Sequence, residues 1–298
     1  MSYRITVPCS RAQGEAVATA DDAFPESDDP PVVVADEPDP SRPDDWLIHA
    51  YFDRYPSSDE IALLTGLGNG PPRIEKLGEE DWVTMSQAGL QPIRAGRFHV
   101  HTPTHPPDPE RINFEIDAGL AFGTGQHATT SGCLEALDRL EQEGARFRNI
   151  ADIGTGTGLL AFAALNLWPE ARCIATDVDA TAIDVAQDNA AVNGIRSGMQ
   201  AGQLLLATID GMDSPLLASR APFDLIIANI LAGPLIEMAP DFANAMAPGG
   251  TIILAGLLDN QANSVLSAYQ MHAFAPQDRG SGEWPVLVLQ REAAPYRH

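Results

Sequence analysis

Three glycines in the run DIGTGTG, namely Gly154, Gly156 and Gly158, lie between an apolar strand-like segment, RNIADIG, and a helix-like one, TGLLAFAALNLW. Glycine at such a turn lets the backbone bend sharply and approach a ligand closely, with the N–H groups of the following helix pointing at it. The spacing is G-x-G-x-G, preceded by Asp152, and not the G-x-G-x-x-G of the dinucleotide fingerprint. Asp177 ends the next expected strand, roughly twenty residues on, where an acid can bind the hydroxyl pair of a ribose. Asp179 follows as a second choice or a helix cap. Asn229 closes the apolar run FDLIIAN, which places an amide at a strand end and directs it into a crevice; an asparagine turn is the plainer alternative. A second glycine-rich stretch, DAGLAFGTGQHATT from Asp117 to Thr130, runs into an expected helix start.

Other residue types offer less. His99, His101 and His105 fall in HVHTPTH, but no cysteine or acid nearby completes a ligand set. They are expected to be exposed linker histidines, and no metal is expected. His127 stands at a capped helix start. Cys9, Cys133 and Cys173 show no CxxC spacing, which suggests buried thiols and neither a disulfide framework nor a zinc cluster. There is no Walker loop and no nucleophile elbow.

The net charge of −23 disfavours nucleic acid and favours cationic partners by long-range steering. Lys76 is the only lysine. A solvated acidic face and a basic protein partner both fit this charge. No apolar run reaches the length of a membrane span, and MSYRITVPCS lacks the pattern of a secretory signal, so a cytoplasmic protein is expected.

The elements that must position these residues fall into two rhythms. Residues 1–78 read as β-α-β-β-α-β, the order of a ferredoxin-like α+β unit, with the acidic, proline-rich run Asp36 to Asp45 as a loop. Residues 79–109 are turn-rich and read as a linker, with THPPDPE its clearest part. Across 110–298, strands such as RCIATDVD, GQLLLAT, FDLIIANI and TIILAGLL alternate with helices such as ATAIDVAQDNAAVNG, PLIEMAPDFANAMAPGG and NQANSVLSAYQM. That alternation predicts an α/β domain with a doubly wound, mostly parallel Rossmann-like sheet, with ligands at the carboxyl ends of its strands.

The G-x-G-x-G turn preceded by an acid resembles motif I of class I S-adenosylmethionine (SAM)-dependent methyltransferases. Taken with GLAFGTGQHATT, TDVDATAI, NILAGPL and GGTIILAGLLDNQANSV, the chain closely resembles the PrmA family, methyltransferases of protein L11 of the large ribosomal subunit. The likeness runs from about Glu79 to the end; before that, only the order of elements agrees. The resemblance implies SAM as cofactor, an N-terminal domain that grips the ribosomal protein, and methylation of its lysine side chains and N-terminal amine. It implies SAM contacts at Thr130, Gly154, Asp177 and Asn229, with Asp152 and Gly156 in the same loop and Phe122, Gly123 and Thr124 covering the cofactor. Ala118, Gln126 and Ala128 depart from the family's usual residues. For amine methylation, Asn229 is the expected orienting group, because a lysine of reference pKa about 10.4 must lose its proton before it attacks. Three alternatives stay open: another amine substrate, a non-catalytic SAM-binding module, and an NAD-dependent oxidoreductase, against which the glycine spacing argues.

Overall fold

The computed structural model describes residues 3–18, 31–36, 44–52, 54–76, 92–116 and 126–293. The chain divides into two compact units, Met1–Gly89 and Leu90–His298.

The first unit follows the expected order: β1 (Tyr3–Ser10), α1 (Arg11–Ala18), β2 (Val32–Asp36), β3 (Asp45–Phe52), α2 (Ser58–Leu67) and β4 (Arg73–Lys76). The strands form one antiparallel sheet in the order β2-β3-β1-β4. Alternate apolar residues of β1 and β3, among them Ile5, Val7, Ile48 and Ala50, bury one face with Leu64 of α2. Ser57 caps α2, and Glu60 returns the hydrogen bond to the Ser57 N–H in a capping box. Arg54 holds Glu60 in a two-pronged ion pair that lowers its carboxyl to about 2.

The second unit is built on a seven-stranded sheet in the order β10-β9-β8-β11-β12-β14-β13. Its parallel part comprises β8 (Asn149–Ile153), β9 (Arg172–Asp177), β10 (Gln203–Thr208), β11 (Phe223–Asn229) and β12 (Met246–Ala255). β14 (Leu287–Arg291) joins antiparallel to β12, and β13 (Phe274–Arg279) closes the edge. The connecting helices are α3 (Gln126–Gln142), α4 (Leu159–Leu167), α5 (Ala180–Val192), α6 (Pro215–Arg220), α7 (Ala232–Glu237), α8 (Ala239–Ala245) and α9 (Asp259–Gln270). Both faces are covered. In β11, Leu225 and Ile227 enter one core while Ile226 and Ala228 enter the other, which is why this strand reads as a continuous apolar run. Among the described residues no helix is long and apolar enough to cross a membrane.

Two differences from the sequence reading have physical causes. The segment PLIEMAPDFANAMAPGG is two short helices and the start of β12, with Pro240 at the beginning of α8, where its missing N–H is tolerated. Residues 92–109, placed in the linker by their turns, carry β5 (Ile93–Ala95) and β6 (Phe98–His101), which pair with β7 (Ile112–Glu115). Phe98, Val100 and Phe114 join the core beneath α3, and Asp138 of α3 accepts from the backbone N–H of Arg97 and pairs with its guanidinium. The expectation of exposed linker histidines therefore fails at His99 and His101. Both are buried, with rings stacked 5.4 Å apart, because every side chain of β6 is covered.

Candidate active site

Strand β8 ends at Ile153, and the glycine turn follows with φ of +73° at Gly154, +54° at Gly156 and +86° at Gly158. These values favour glycine. The backbone N–H groups of Gly154 and Thr155 both donate to the carbonyl of Thr176 on β9, at 2.8 and 2.9 Å. The three glycines then differ in role. A Cβ at Gly154 would lie 2.2 Å from Ile230, and one at Gly158 would lie 2.4 Å from Phe162, so both are also required by packing. A Cβ at Gly156 would meet nothing within 4 Å, so the turn opens there into free space.

Asp177 terminates β9, and its carboxylate accepts from the N–H of Gly156 at 2.9 Å and from that of Asp179 at 3.1 Å. Asp179 caps α5 through the N–H of Thr181. Asp152 is buried beneath the turn. It accepts from the Thr155 hydroxyl at 2.6 Å, while its other oxygen has no hydrogen-bond partner among the described residues. Burial pushes this carboxyl up to about 7, and the charge of Asp177 adds to the effect.

A pocket of about 480 Å3 sits over the turn, at the carboxyl ends of β8 and β11. The sheet order reverses between these two strands, and α/β sheets open a crevice at such a point. The pocket brings together Thr130 of α3, Gly154, Gly156 and Asn229. Asn229 is half-buried, and its side chain makes no hydrogen bond among the described residues. The chain beyond it passes tightly against Gly256, whose φ is +83° and whose Cβ would fall 2.4 Å from the carbonyl oxygen of Ile230. Asp177 reaches the site through Gly156, and Asp152 supports the turn from below without lining the pocket. Phe122, Gly123 and Thr124 lie outside the described residues.

Ile230, Leu231, Gly256 and Trp284 also line the pocket, and the motif reading named none of them as site residues. The signals were modest: Leu231 directly follows Asn229 and Ile230, and Trp284 stands in the loop before the last strand. Leu231 lines the pocket and remains 73% exposed.

These features suit a nucleoside with a charged tail. Open space at Gly156 lets a ligand approach the backbone closely, an acid ends the next strand, and an uncommitted amide faces the crevice. The lining thus fits SAM, while Cys133 and Cys173 are buried thiols raised in pKa by desolvation. Among the described residues, no cluster of histidine, cysteine and acid could hold a metal ion.

Comparison with known proteins shows the family. The family model described as ribosomal protein L11 methyltransferase (PrmA) matches residues 9–292. A ribosomal protein L11 methyltransferase of Brucella suis is 45% identical over 239 residues, covering 78% of this chain and 81% of that protein. One from Rhizobium etli is 46% identical over 213 residues, covering 70% of each. The crystal structure of a ribosomal protein L11 methylase from Lactobacillus delbrueckii superposes with a TM-score of 0.55 at 27% identity, covering 68% of this chain and 98% of that one. The chain belongs to the ribosomal protein L11 methyltransferase (PrmA) family, enzymes that take their methyl group from SAM.

Proposed function

We propose that this enzyme transfers methyl groups from SAM to the lysine side chains and N-terminal amine of ribosomal protein L11, in the cytoplasm. The observation that carries the proposal is the uncommitted Asn229 amide on the pocket at the sheet's switch point, opposite Thr130 and the glycine turn. When bound, SAM supplies an electrophilic methyl group on a sulfonium whose thioether leaves without needing an acid.

The chain's own residues bind and orient. Gly154, Gly156 and Thr130 hold the cofactor, with Asp177 accepting from its ribose and fixing the turn. Phe122, Gly123 and Thr124 cover it. The Asn229 carbonyl accepts an N–H of the incoming neutral amine and so aims its lone pair, and proximity supplies much of the rate. No side chain is assigned as general base; the acceptor gives its proton to water before it reaches the Asn229 carbonyl. The net charge of −23 steers a cationic ribosomal protein toward the enzyme and disfavours direct contact with nucleic acid. The first unit serves as the grip on that substrate.

The test is transfer from methyl-labelled SAM to purified L11, read by intact mass and peptide mapping. Label on lysine and the N-terminus supports the proposal. Tight SAM binding with no transfer to L11 refutes it.

A further inference from the structure

The cofactor pocket has a neighbour. A second cavity of about 690 Å3 lies between α3 and the loop joining β13 to β14. Among the described residues Trp284 is the one side chain that lines both. Its position is fixed by the backbone around it. The Glu283 carbonyl accepts from the N–H of Asp259, and the Gly280 N–H donates to the carbonyl of Val286. Gly132 lets the loop close on α3, since a Cβ there would lie 2.6 Å from Val286. Trp284 is thereby held beside Thr129 and Thr130, half-buried between the two spaces.

The cations of the second cavity are already neutralised. Arg139 pairs with Asp278 at 2.6 Å, and Arg279 pairs with Asp259 at 3.0 Å. Glu135 and Glu283 have no ion-pair partner among the described residues. A long cationic side chain passing along this cavity toward the cofactor meets favourable charge outside and the indole at the threshold.

We infer that Trp284 is the specificity-determining residue of the acceptor site: its indole holds the amine as a cation–π partner on the way to the cofactor and through successive methylations. The inference rests on the proposed amine-methylating function. Each methyl group removes an N–H donor from the amine, so an oxygen acceptor such as Asn229 loses its hold stepwise. An aromatic face needs no donor and attracts a methylated ammonium as well as a free one.

The test uses the full-length protein saturated with S-adenosylhomocysteine and the probe Nα-acetyl-Nε-trimethyllysine amide, read by calorimetry and by indole N–H resonances. The Trp284 resonance is assigned by its absence in Trp284→Leu. The expected result is that the probe shifts that resonance, that Trp284→Leu weakens probe binding at least tenfold, and that Trp284→Phe recovers most of it. Affinity for S-adenosylhomocysteine should fall less than affinity for the probe in both variants. Equal probe affinity in Trp284→Leu, or an unmoved resonance, overturns the inference. So does a parallel loss of S-adenosylhomocysteine binding in both variants, which would make the indole a wall of the cofactor pocket only. Should the probe bind through Trp284 while wild-type enzyme leaves L11 unmethylated, the substrate assignment fails and the role of Trp284 stands.

Discussion

The carboxylate of Asp177 accepts a hydrogen bond from the backbone N–H of Gly156 at 2.9 Å, so the acid ending β9 and the turn ending β8 act as one unit. Removing the acid therefore removes an anchor of the turn together with the proposed ribose acceptor. Hydrogen bonds to charged groups contribute about 1.5–3 kcal/mol each. Asp177→Ala should weaken SAM binding by about ten- to a hundredfold by calorimetry. Asp177→Asn, which keeps an oxygen for Gly156, should lose less. Wild-type affinity in the alanine variant would show that the acid touches neither ligand nor turn in a way that matters.

The two glycines nearest the pocket should fail differently when replaced. Gly154→Ala drives a Cβ into Ile230 at a positive φ, so strain and overpacking add to about 2–4 kcal/mol and the melting temperature falls. Gly156→Ala has open space, so only the backbone penalty of about 1–2 kcal/mol applies to stability. Its methyl group enters the open space of the proposed cofactor site, so SAM affinity should fall more than stability does. Thermal unfolding and calorimetry on the pair separate these outcomes, and similar losses in both assays would count against the division of roles.

Much of this was legible because periodicity and glycine spacing are local signals. FDLIIAN reads as a doubly buried strand, and DIGTGTG as a turn, from neighbours in sequence alone. The strands at Ile93–Ala95 and Phe98–His101 were not legible, because short segments amid prolines gain their order from α3, through the Arg97–Asp138 contact and the shared core. Trp284 escaped for a similar reason. It reaches the pocket by way of the antiparallel addition of β14 to β12, a long-range pairing that no spacing near the glycine turn announces.

Asp152 makes stability depend on pH in an unusual direction. Its folded carboxyl is raised to about 7 from an unfolded value of 3.8, so the folded state holds a proton that the unfolded chain has already lost. The contribution is fully present below pH 4 and is lost as pH rises toward about 7. Asp152→Asn keeps an acceptor for Thr155 and carries no charge. Its stability relative to wild type should rise between pH 5 and 8, by about 1–3 kcal/mol, as measured by urea unfolding at each pH. A constant difference across that range would mean that the carboxyl titrates normally in the fold.

In the first unit the sign is opposite. Arg54 lowers the Glu60 carboxyl to about 2, so its contribution is present above the unfolded value of 4.5 and is lost as pH falls through about 2. Glu60→Gln should cost about 1 kcal/mol at neutral pH, since the guanidinium partner is nearly half exposed and screened. The loss should shrink below pH 4 in denaturant titrations followed by a probe in this unit. A cost that stays unchanged into acid would assign it to the capping box and not to the ion pair.

The acceptor chemistry should be readable from pH and from Asn229 together. If water takes the proton before the amine reaches the Asn229 carbonyl, kcat/KM rises with pH until the acceptor itself is neutral. That break falls near about 8 for an N-terminal amine and near about 10.4 for a lysine, so peptide-resolved labelling of one substrate protein should give two different profiles. Among the described residues that line the pocket no side chain is titratable, and Asp152, whose carboxyl lies near about 7, sits beneath the turn and outside the lining. Asn229→Ala should lower both profiles by about ten- to a hundredfold, the cost of one lost orienting hydrogen bond in a desolvated site, while leaving each break in place. Affinity for S-adenosylhomocysteine should fall less than kcat/KM does. A break that moves in the variant would identify the asparagine with proton transfer, and an equal fall in cofactor affinity would identify it with cofactor binding alone.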